Sequence, residues 1–180
     1  MRAFLEEIRA TLACGIWSPA LASAMLVPDA CGAIEYPVKT DPNQGLNRQR
    51  YVRWYDKFVK ITPRLNMRFD GEVVWKIRNA MLHEIALDFK GYGYDRVLFQ
   101  PPNRNVQIDF MLSSNNGGIE ETALMRSILP FCEEIIQGAE QWLQEVENDV
   151  DNTRLNNLDR LLQYRPLGLA PHVVGLPVIA

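Results

Sequence analysis

Cysteine and histidine are scarce in this chain of 180 residues, which contains three cysteines and two histidines. The cysteines, Cys14, Cys31 and Cys132, are far apart in the sequence and form no C-x-x-C pair. A structural zinc site usually needs four Cys or His ligands at short spacings, so the sequence argues against one. An odd number of widely spaced cysteines is typical of buried, reduced thiols in a cytoplasmic protein.

An excess of positive charge and an uninterrupted apolar run are also lacking. The formal net charge is -3 and the pI about 5.5, which argues against a broad basic surface for duplex nucleic acid. A local basic cleft stays compatible with this charge, because a dimer can concentrate arginines at its seam. Residues 10–27 carry no charge, but Glu6 and Glu7 precede them and Gly15 and Pro19 interrupt them. Neither a signal peptide nor a membrane span is therefore expected.

The overall composition is that of a globular protein. Hydrophobic residues make up 47% of the chain and charged residues 23%, and a chain of this length can bury a single sizeable core. We expect one helical-bundle domain over residues 1–165 and an apolar, proline-containing tail over residues 166–180. Because so apolar a tail should not lie free in water, we expect it to pack on the bundle or on that of a partner in a dimer. His172 lies in this tail and is not expected to be catalytic.

Apolar residues recur at helical spacing along most of the chain, which predicts a mainly α fold of about five to six helices. The predicted helices cover residues 2–14, 19–34, 47–61, 72–89, 119–147 and 153–164. Pro28 should kink or split the second of them, and Pro130 should kink the fifth. The third carries interleaved aromatic and basic residues, which can stack bases and hold phosphates. Aromatic residues at helical spacing more often form core, and we favour that interpretation.

One segment departs from helical spacing. Apolar and polar residues alternate over residues 105–112, a second short apolar run covers residues 96–100, and Pro101-Pro102-Asn103 lies between them. This pattern predicts a β-hairpin near residues 96–112, inserted into the bundle. Because a lone hairpin is marginally stable in water, it should pack on the bundle or on another chain.

The helix predicted over residues 72–89 carries the most informative cluster of polar residues. Asp70, directly before it, predicts an N-cap. Arg78, Asn79 and His83 place a cation, an amide and an imidazole in one neighbourhood, with Asn79 and His83 one turn apart. Such a group could bind or cleave a phosphodiester. The alternative is a solvated polar stripe in which Asn79 and His83 only hydrogen-bond each other.

The pattern Arg78-Asn79-x-x-x-His83 resembles the R-x(4–6)-H motif of the HEPN superfamily, which commonly has a polar residue directly after the Arg. The resemblance covers this helix and the all-helical pattern around it. It implies a small helical bundle, dimeric in many members, that cleaves RNA without a metal or other cofactor. It also implies a cytoplasmic protein with RNA as substrate and no membrane association, acting as a toxin, in phage defence or in RNA processing. A toxin would have an antitoxin protein as a partner.

The resemblance also implies roles for individual residues, with two copies of the motif facing each other across a dimer seam. His83 would act as general base on a ribose 2′-OH or as acid on the leaving oxygen, and Arg78 would hold the scissile phosphate. Asn79 would orient the imidazole or the phosphate. Many members carry an acidic residue on an earlier helix, and Asp56 is the candidate for it here. Asp29 is interpreted as the N-cap of a helix that restarts after a proline, with a polar group near the site as the alternative.

Two other functions are compatible with the sequence. A non-catalytic helical dimer could use the Arg-Asn-His cluster to bind a nucleotide or a protein partner. The acidic pI and the lack of a second clear catalytic residue favour this function. An enzyme acting on a small apolar ligand could use the aromatic third helix as a pocket wall. The chain contains no dinucleotide loop, P-loop or serine-hydrolase elbow, so Rossmann, NTPase and esterase functions are unsupported.

Overall fold

The computed structural model describes residues 1–37, 47–59, 69–83, 94–102, 110–116, 119–149, 153–158, 161 and 163–180. The helices in these ranges are α1 (Arg2–Ala13), α2 (Trp17–Glu35), α3 (Asn47–Phe58), α4 (Gly71–His83), α5 (Ile128–Glu147) and α6 (Thr153–Leu158). The strands are β1 (Arg96–Gln100), β2 (Phe110–Asn116), β3 (Ile119–Ser127), β4 (Tyr164–Arg165), β5 (Gly168–Leu169), β6 (Val173–Val174) and β7 (Val178–Ile179). The predicted mainly helical class with about six helices is therefore confirmed.

The aromatic residues of α3 form the centre of the core. Tyr51, Trp54, Tyr55 and Phe58 are all buried. The ring of Trp54 lies 6.4 Å, between centroids, from that of Trp142 in α5, in an edge-to-face arrangement. Such pairs add to the stabilisation that comes from burying the apolar area itself. The aromatic residues of this helix are core, as the favoured interpretation of the sequence had it.

Two glycines allow the neighbouring helices to approach α3 closely. A Cβ on Gly32 of α2 would lie 2.8 Å from the carbonyl oxygen of Arg50, and one on Gly71 of α4 would lie 2.8 Å from that of Val52. A residue with a side chain does not fit at such distances from a backbone oxygen, so glycine is needed at both positions. These contacts fix α2 and α4 beside the first half of α3.

Replacing Gly32 with alanine is expected to lower the free energy of unfolding by up to about 2 kcal/mol. Alanine favours a helix over glycine by about 1 kcal/mol, but its methyl group would meet the Arg50 carbonyl oxygen, and overpacking of this kind costs about 1–3 kcal/mol. Urea denaturation of the two proteins measures the difference. Ala33→Ser adds one atom at the neighbouring exposed position and should change stability by less than about 0.7 kcal/mol. A Gly32→Ala variant that is about 1 kcal/mol more stable than the wild type, the full gain in helix propensity, would contradict the close approach of α2 and α3.

α2 continues through Pro28 without splitting. Asp29 therefore lies inside a helix, and its interpretation as the N-cap of a restarted helix is wrong. Pro28 removes one backbone hydrogen bond, at a cost of roughly 3 kcal/mol. The buried residues around it, Ala24, Val27 and Cys31, pack into the core and hold the two halves of the helix in line.

The larger sheet has three strands in the order β1-β3-β2. β1 confirms the strand predicted over residues 96–100. It pairs in parallel with β3, with Arg96 opposite Ala123, whereas β2 pairs with β3 in antiparallel fashion, with Phe110 opposite Met125. Among the described residues the hairpin is therefore formed by β2 and β3, and the predicted pairing of the two strands near residues 96–112 is wrong. Residues 103–109 lie outside the described part of the chain.

β3 occupies a segment that was predicted to begin a long helix over residues 119–147. The sequence between β2 and β3 is Gly117-Gly118, a dipeptide that favours two-residue hairpin loops. The helix begins instead at Ile128, so Pro130 lies in its first turn, where a missing backbone N–H is tolerated. The proline expected to kink a longer helix marks the beginning of a shorter one.

The tail folds into two short antiparallel pairs, β4 with β7 and β5 with β6. Several of its apolar side chains are exposed, among them Leu167 at 79%, Val174 at 74% and Ile179 at 69%. These side chains are not buried against the helices of their own chain, although packing on that bundle was one of the two arrangements expected for the tail. Packing on a partner's bundle stays a prediction.

Glu35, the last residue of α2, links four helices through its carboxylate. The side chain is 8% exposed and accepts hydrogen bonds from Trp142 of α5 at 2.9 Å, Arg154 of α6 at 2.8 Å and Lys57 of α3 at 3.0 Å. Burial by itself raises the pKa of this carboxyl, but the three hydrogen bonds outweigh it and hold the pKa below its ordinary value.

Replacing Glu35 with glutamine is expected to lower the free energy of unfolding by roughly 2–3 kcal/mol at about pH 7. Because the folded-state pKa lies below the unfolded value of about 4.3, this stabilisation is present above that pH and is lost as the pH falls through the folded value. Urea denaturation at about pH 7 and about pH 3 measures the free energy of unfolding of both proteins. The difference between wild type and variant should be smaller at about pH 3. Glu145→Gln is the control, because Glu145 is largely exposed and lies 3.9 Å from the Lys57 ammonium. A gap of the same size at both pH values would contradict this account.

Candidate nucleic-acid cleavage site

α4 presents the motif residues from a helix with a defined beginning and a buried face. The backbone N–H of Val73 donates to Asp70 Oδ1 at 3.1 Å, so Asp70 is the predicted N-cap. Val74 and Ile77 are fully buried. Arg78, directly after Ile77, is mostly buried, with a side chain that is 17% exposed.

The guanidinium of Arg78 has partners on two helices. Its Nε donates to Oδ2 of Asp29 at 2.9 Å, its Nη2 lies 2.7 Å from the same oxygen, and its Nη1 donates to Oδ1 of Asn79 at 2.8 Å. Its central carbon lies 5.1 Å from the centroid of the Trp75 ring. These contacts fix the orientation of the guanidinium. They use three of its five N–H groups, so the contacts with described residues leave two for a ligand.

Asp29 is therefore the acid that contacts Arg78. Its place at the site agrees with the alternative interpretation of this residue, a polar group near the motif. Burial raises the pKa of the Asp29 carboxyl, and the charge and hydrogen bond of Arg78, together with the charge of Arg50, offset only part of that effect. The carboxylate positions the guanidinium, and both groups line the pocket described below.

Asp56, the acid predicted from the sequence, belongs to α3 and lies beside the beginning of α4 rather than beside Arg78. Its Oδ1 accepts a hydrogen bond from the backbone N–H of Gly71 at 2.7 Å, so it is beside the first residue of the helix. Arg78 lies two turns further on, about 10 Å along the axis at 1.5 Å per residue. His83 is the last residue of α4, about 7–8 Å along the axis beyond Arg78. The His83 side chain lies outside the described part of the structure, so its distance to Arg78 stays a prediction.

A pocket of about 340 Å³ opens beside the Asp29–Arg78 ion pair. Three helices line it, through Leu26, Asp29 and Ala33 of α2, Asn47 and Arg50 of α3, and Arg78 of α4. The sequence did not single out Asn47 and Arg50 as site residues. Leu26, Asp29 and Ala33 share one face of α2, and their spacing in the sequence could have shown this. The approach of α3 to that face depends on tertiary packing, so Asn47 and Arg50 could not be found in the same way.

The chain has no match in the comparisons with protein-family models, curated proteins and solved structures. The HEPN resemblance consequently rests on the residues of this chain alone. No described helix is long and apolar enough to cross a membrane. Within the described ranges, His, Cys, Asp and Glu side chains form no group of three or more that could hold a metal ion.

The chemistry available at the pocket is that of anion binding. Its lining combines two guanidinium groups with one carboxylate, so one positive charge is left over after Asp29 is counted against Arg78. Tyr51 follows Arg50 on α3, with its ring 5.1 Å from that of Trp75 and its buried hydroxyl without a hydrogen-bond partner among the described residues. Burial raises the pKa of Tyr51, and the nearby Tyr55 and Asp29 raise it further, so this hydroxyl stays neutral. A phosphate group satisfies both the charge and the free N–H donors.

Proposed function

We propose that this chain is a HEPN-like, metal-independent endoribonuclease in which Arg78 holds the scissile phosphate and His83 transfers protons. The observation that carries the proposal is the setting of Arg78. Its guanidinium is oriented by Asp29 and Asn79, borders a pocket with a surplus positive charge, and belongs to the helix that ends at His83. A fixed guanidinium can stabilise the charge that builds on a phosphate in the transition state without first reorganising.

The proposed reaction needs no group beyond the RNA and the protein. The ribose 2′-oxygen attacks phosphorus, and its proton passes to the imidazole of His83 as the P–O2′ bond forms. The P–O5′ bond breaks, and the leaving 5′-oxygen takes a proton from a second imidazole, His83 of the other copy in a dimer. The products are a 2′,3′-cyclic phosphate and a 5′-hydroxyl. Histidine suits both steps because its unperturbed pKa of about 6.5 lies near neutrality.

Exposed apolar residues beside the motif support the homodimer in this proposal. Leu82, one turn after Arg78 on α4, is 36% exposed, and Leu26, in the pocket wall, is 37% exposed. A second copy that covers these side chains would bring two motifs together and remove apolar surface from water. A cytoplasmic toxin or phage-defence component, held in check by an antitoxin protein, is the biological setting that we propose with it.

The proposal is tested by incubating the purified protein with end-labelled single-stranded RNA in the presence of EDTA. We expect fragments that end in a 2′,3′-cyclic phosphate, and no cleavage of DNA of the same sequence, because DNA lacks the attacking hydroxyl. Cleavage that required an added divalent metal would contradict the proposed mechanism.

The alternative is a non-catalytic helical dimer that binds a nucleotide or a protein partner through the same residues. One observation favours it: within a single chain Arg78 already has an ion pair with Asp29 and a hydrogen bond with Asn79, as in a purely structural contact. Binding of RNA that is unchanged in a His83→Ala variant, without cleavage by either protein, would support this alternative.

A further inference from the structure

The pocket beside Arg78 contains a second guanidinium, that of Arg50. Its Nη2 donates to Oδ1 of Asn47, one turn earlier on α3, and its Nε is buried without a hydrogen-bond partner in the part of the chain that the structure describes. Its backbone is fixed, because Gly32 lies against its carbonyl oxygen. The contacts of Arg50 with described residues leave N–H groups of Nη1 and Nη2 for an acceptor that enters the pocket.

The surroundings of Arg50 favour an anion as that acceptor. The carboxylate that lines the pocket, Asp29, is taken by Arg78, and the structure gives it no hydrogen bond with Arg50. Leu26 and Ala33 provide an apolar wall on the α2 side, suited to the carbon atoms of a ribose or a base. A volume of about 340 Å³ is in the range of small-ligand pockets.

We propose that Arg50, oriented by Asn47, binds the phosphate next to the one held by Arg78. This inference rests on the proposed function and makes the substrate an oligonucleotide with a phosphate beside the cut, rather than any isolated phosphodiester. Arg50 is then a specificity residue: it binds substrate and takes no part in proton transfer. Two guanidinium groups in one pocket bind two successive phosphates of a strand and set its register over His83.

The first experiment measures binding of a fluorescent 2′-O-methyl oligoribonucleotide, which cannot be cut through its 2′-oxygen, by anisotropy at several salt concentrations. Arg50→Ala should weaken binding about tenfold and reduce the slope of log K against log salt by about 0.7, the value for one phosphate contact with a single strand. Arg50→Lys should retain the slope and still bind more weakly, because an ammonium lacks the planar fork. It also keeps the test valid if the alanine variant is poorly folded.

The matched control is Arg48→Ala, which removes the same charge from the same helix. Arg48 lies two residues from Arg50, on the other side of α3, and donates to Glu72 at 2.7 Å. The Arg48→Ala substitution should change the affinity for the oligonucleotide by less than about twofold. Equal loss in the Arg48 and Arg50 variants, or no binding of the oligonucleotide at all, would overturn the inference.

The second experiment separates the inference from the proposed function. An RNA substrate carries one neutral methylphosphonate in place of the phosphate adjacent to the cut. In wild-type protein this change should lower kcat/KM about tenfold, and in Arg50→Ala it should have no further effect. RNA cleavage that is the same in wild type and Arg50→Ala would overturn the inference and leave the proposed function standing. Binding that depends on Arg50 without any cleavage would contradict the proposed ribonuclease function and would leave the phosphate contact of Arg50 standing.

Discussion

Replacing His83 with alanine is expected to lower the rate of RNA cleavage by about 10²–10⁴-fold while the fold is retained. The proposed reaction uses the imidazole for proton transfer on both sides of the phosphorus, and alanine can neither accept nor donate a proton. Alanine has the highest helix propensity of the amino acids, so it is compatible with the position of His83 in α4. Single-turnover cleavage of an end-labelled RNA, with circular dichroism to check folding, measures the effect.

His172→Ala is the matched control. His172 is the second of the two histidines in the chain, and it lies exposed in the tail. Its replacement should leave the cleavage rate unchanged. An active His83→Ala variant would contradict the proposed role of this residue, and loss of activity in both variants would point to a non-specific effect of histidine removal.

Replacing Arg78 with lysine is expected to lower cleavage by about 10²–10³-fold, although the positive charge is kept. Arg78 engages Asp29 and Asn79 through three N–H groups and is proposed to hold the phosphate through the others. A lysine ammonium has three donors on a flexible stem, so it cannot keep both protein contacts and bind the phosphate with a fixed geometry. We expect kcat to fall by much more than KM changes, because the lost contact is strongest in the transition state.

Arg9→Lys is the control for this substitution. Arg9 also binds two side chains at once, Glu133 at 2.7 Å and Glu140 at 2.6 Å, but it joins α1 to α5. The same arginine-to-lysine change there should affect stability slightly and leave cleavage unchanged. An Arg78→Lys enzyme within about threefold of wild-type kcat/KM would show that the fork geometry is not required.

The helices could be predicted from the sequence because an amphipathic stripe is a local property. The helix predicted over residues 2–14 is observed as Arg2–Ala13, and the helix predicted over residues 47–61 is observed over Asn47–Phe58. Each has apolar residues at helical spacing and a polar remainder, so the same residues that favour the helix also fix which face is buried. No distant contact is needed for this part of the fold.

The strand β3 could not be predicted in this way. It lies in the middle of a three-stranded sheet, between β1 and β2, and its pairing with β1 joins segments far apart in the sequence. Strand preference depends on such neighbours more than helix preference does. The local signals were Gly117-Gly118, which favours a hairpin, and Pro130, which favours a helix start, but Pro130 was interpreted as a kink within a long helix that begins after the glycines.

The candidate site shows the same division. Arg78, Asn79 and His83 belong to one helix and could be grouped from their spacing alone. The acid could not, because Asp29 reaches Arg78 only through the close approach of α2 and α3 at Gly32. Asp56 was chosen because it lies on the helix before the motif, but it contacts the first residue of α4, about two turns from Arg78. Arg50 belongs to the part of the site that depends on packing of three helices.

The measurement that tests the central claim most directly is cleavage of two oligonucleotides of one sequence, one of RNA and one with a 2′-O-methyl group at every position. Mass spectrometry identifies the ends of each fragment. Because the 2′-oxygen is the proposed nucleophile, we expect only the RNA to be cut. One fragment should carry a 2′,3′-cyclic phosphate and the other a 5′-hydroxyl. Cleavage of both oligonucleotides, or fragments with a 5′-phosphate, would contradict it.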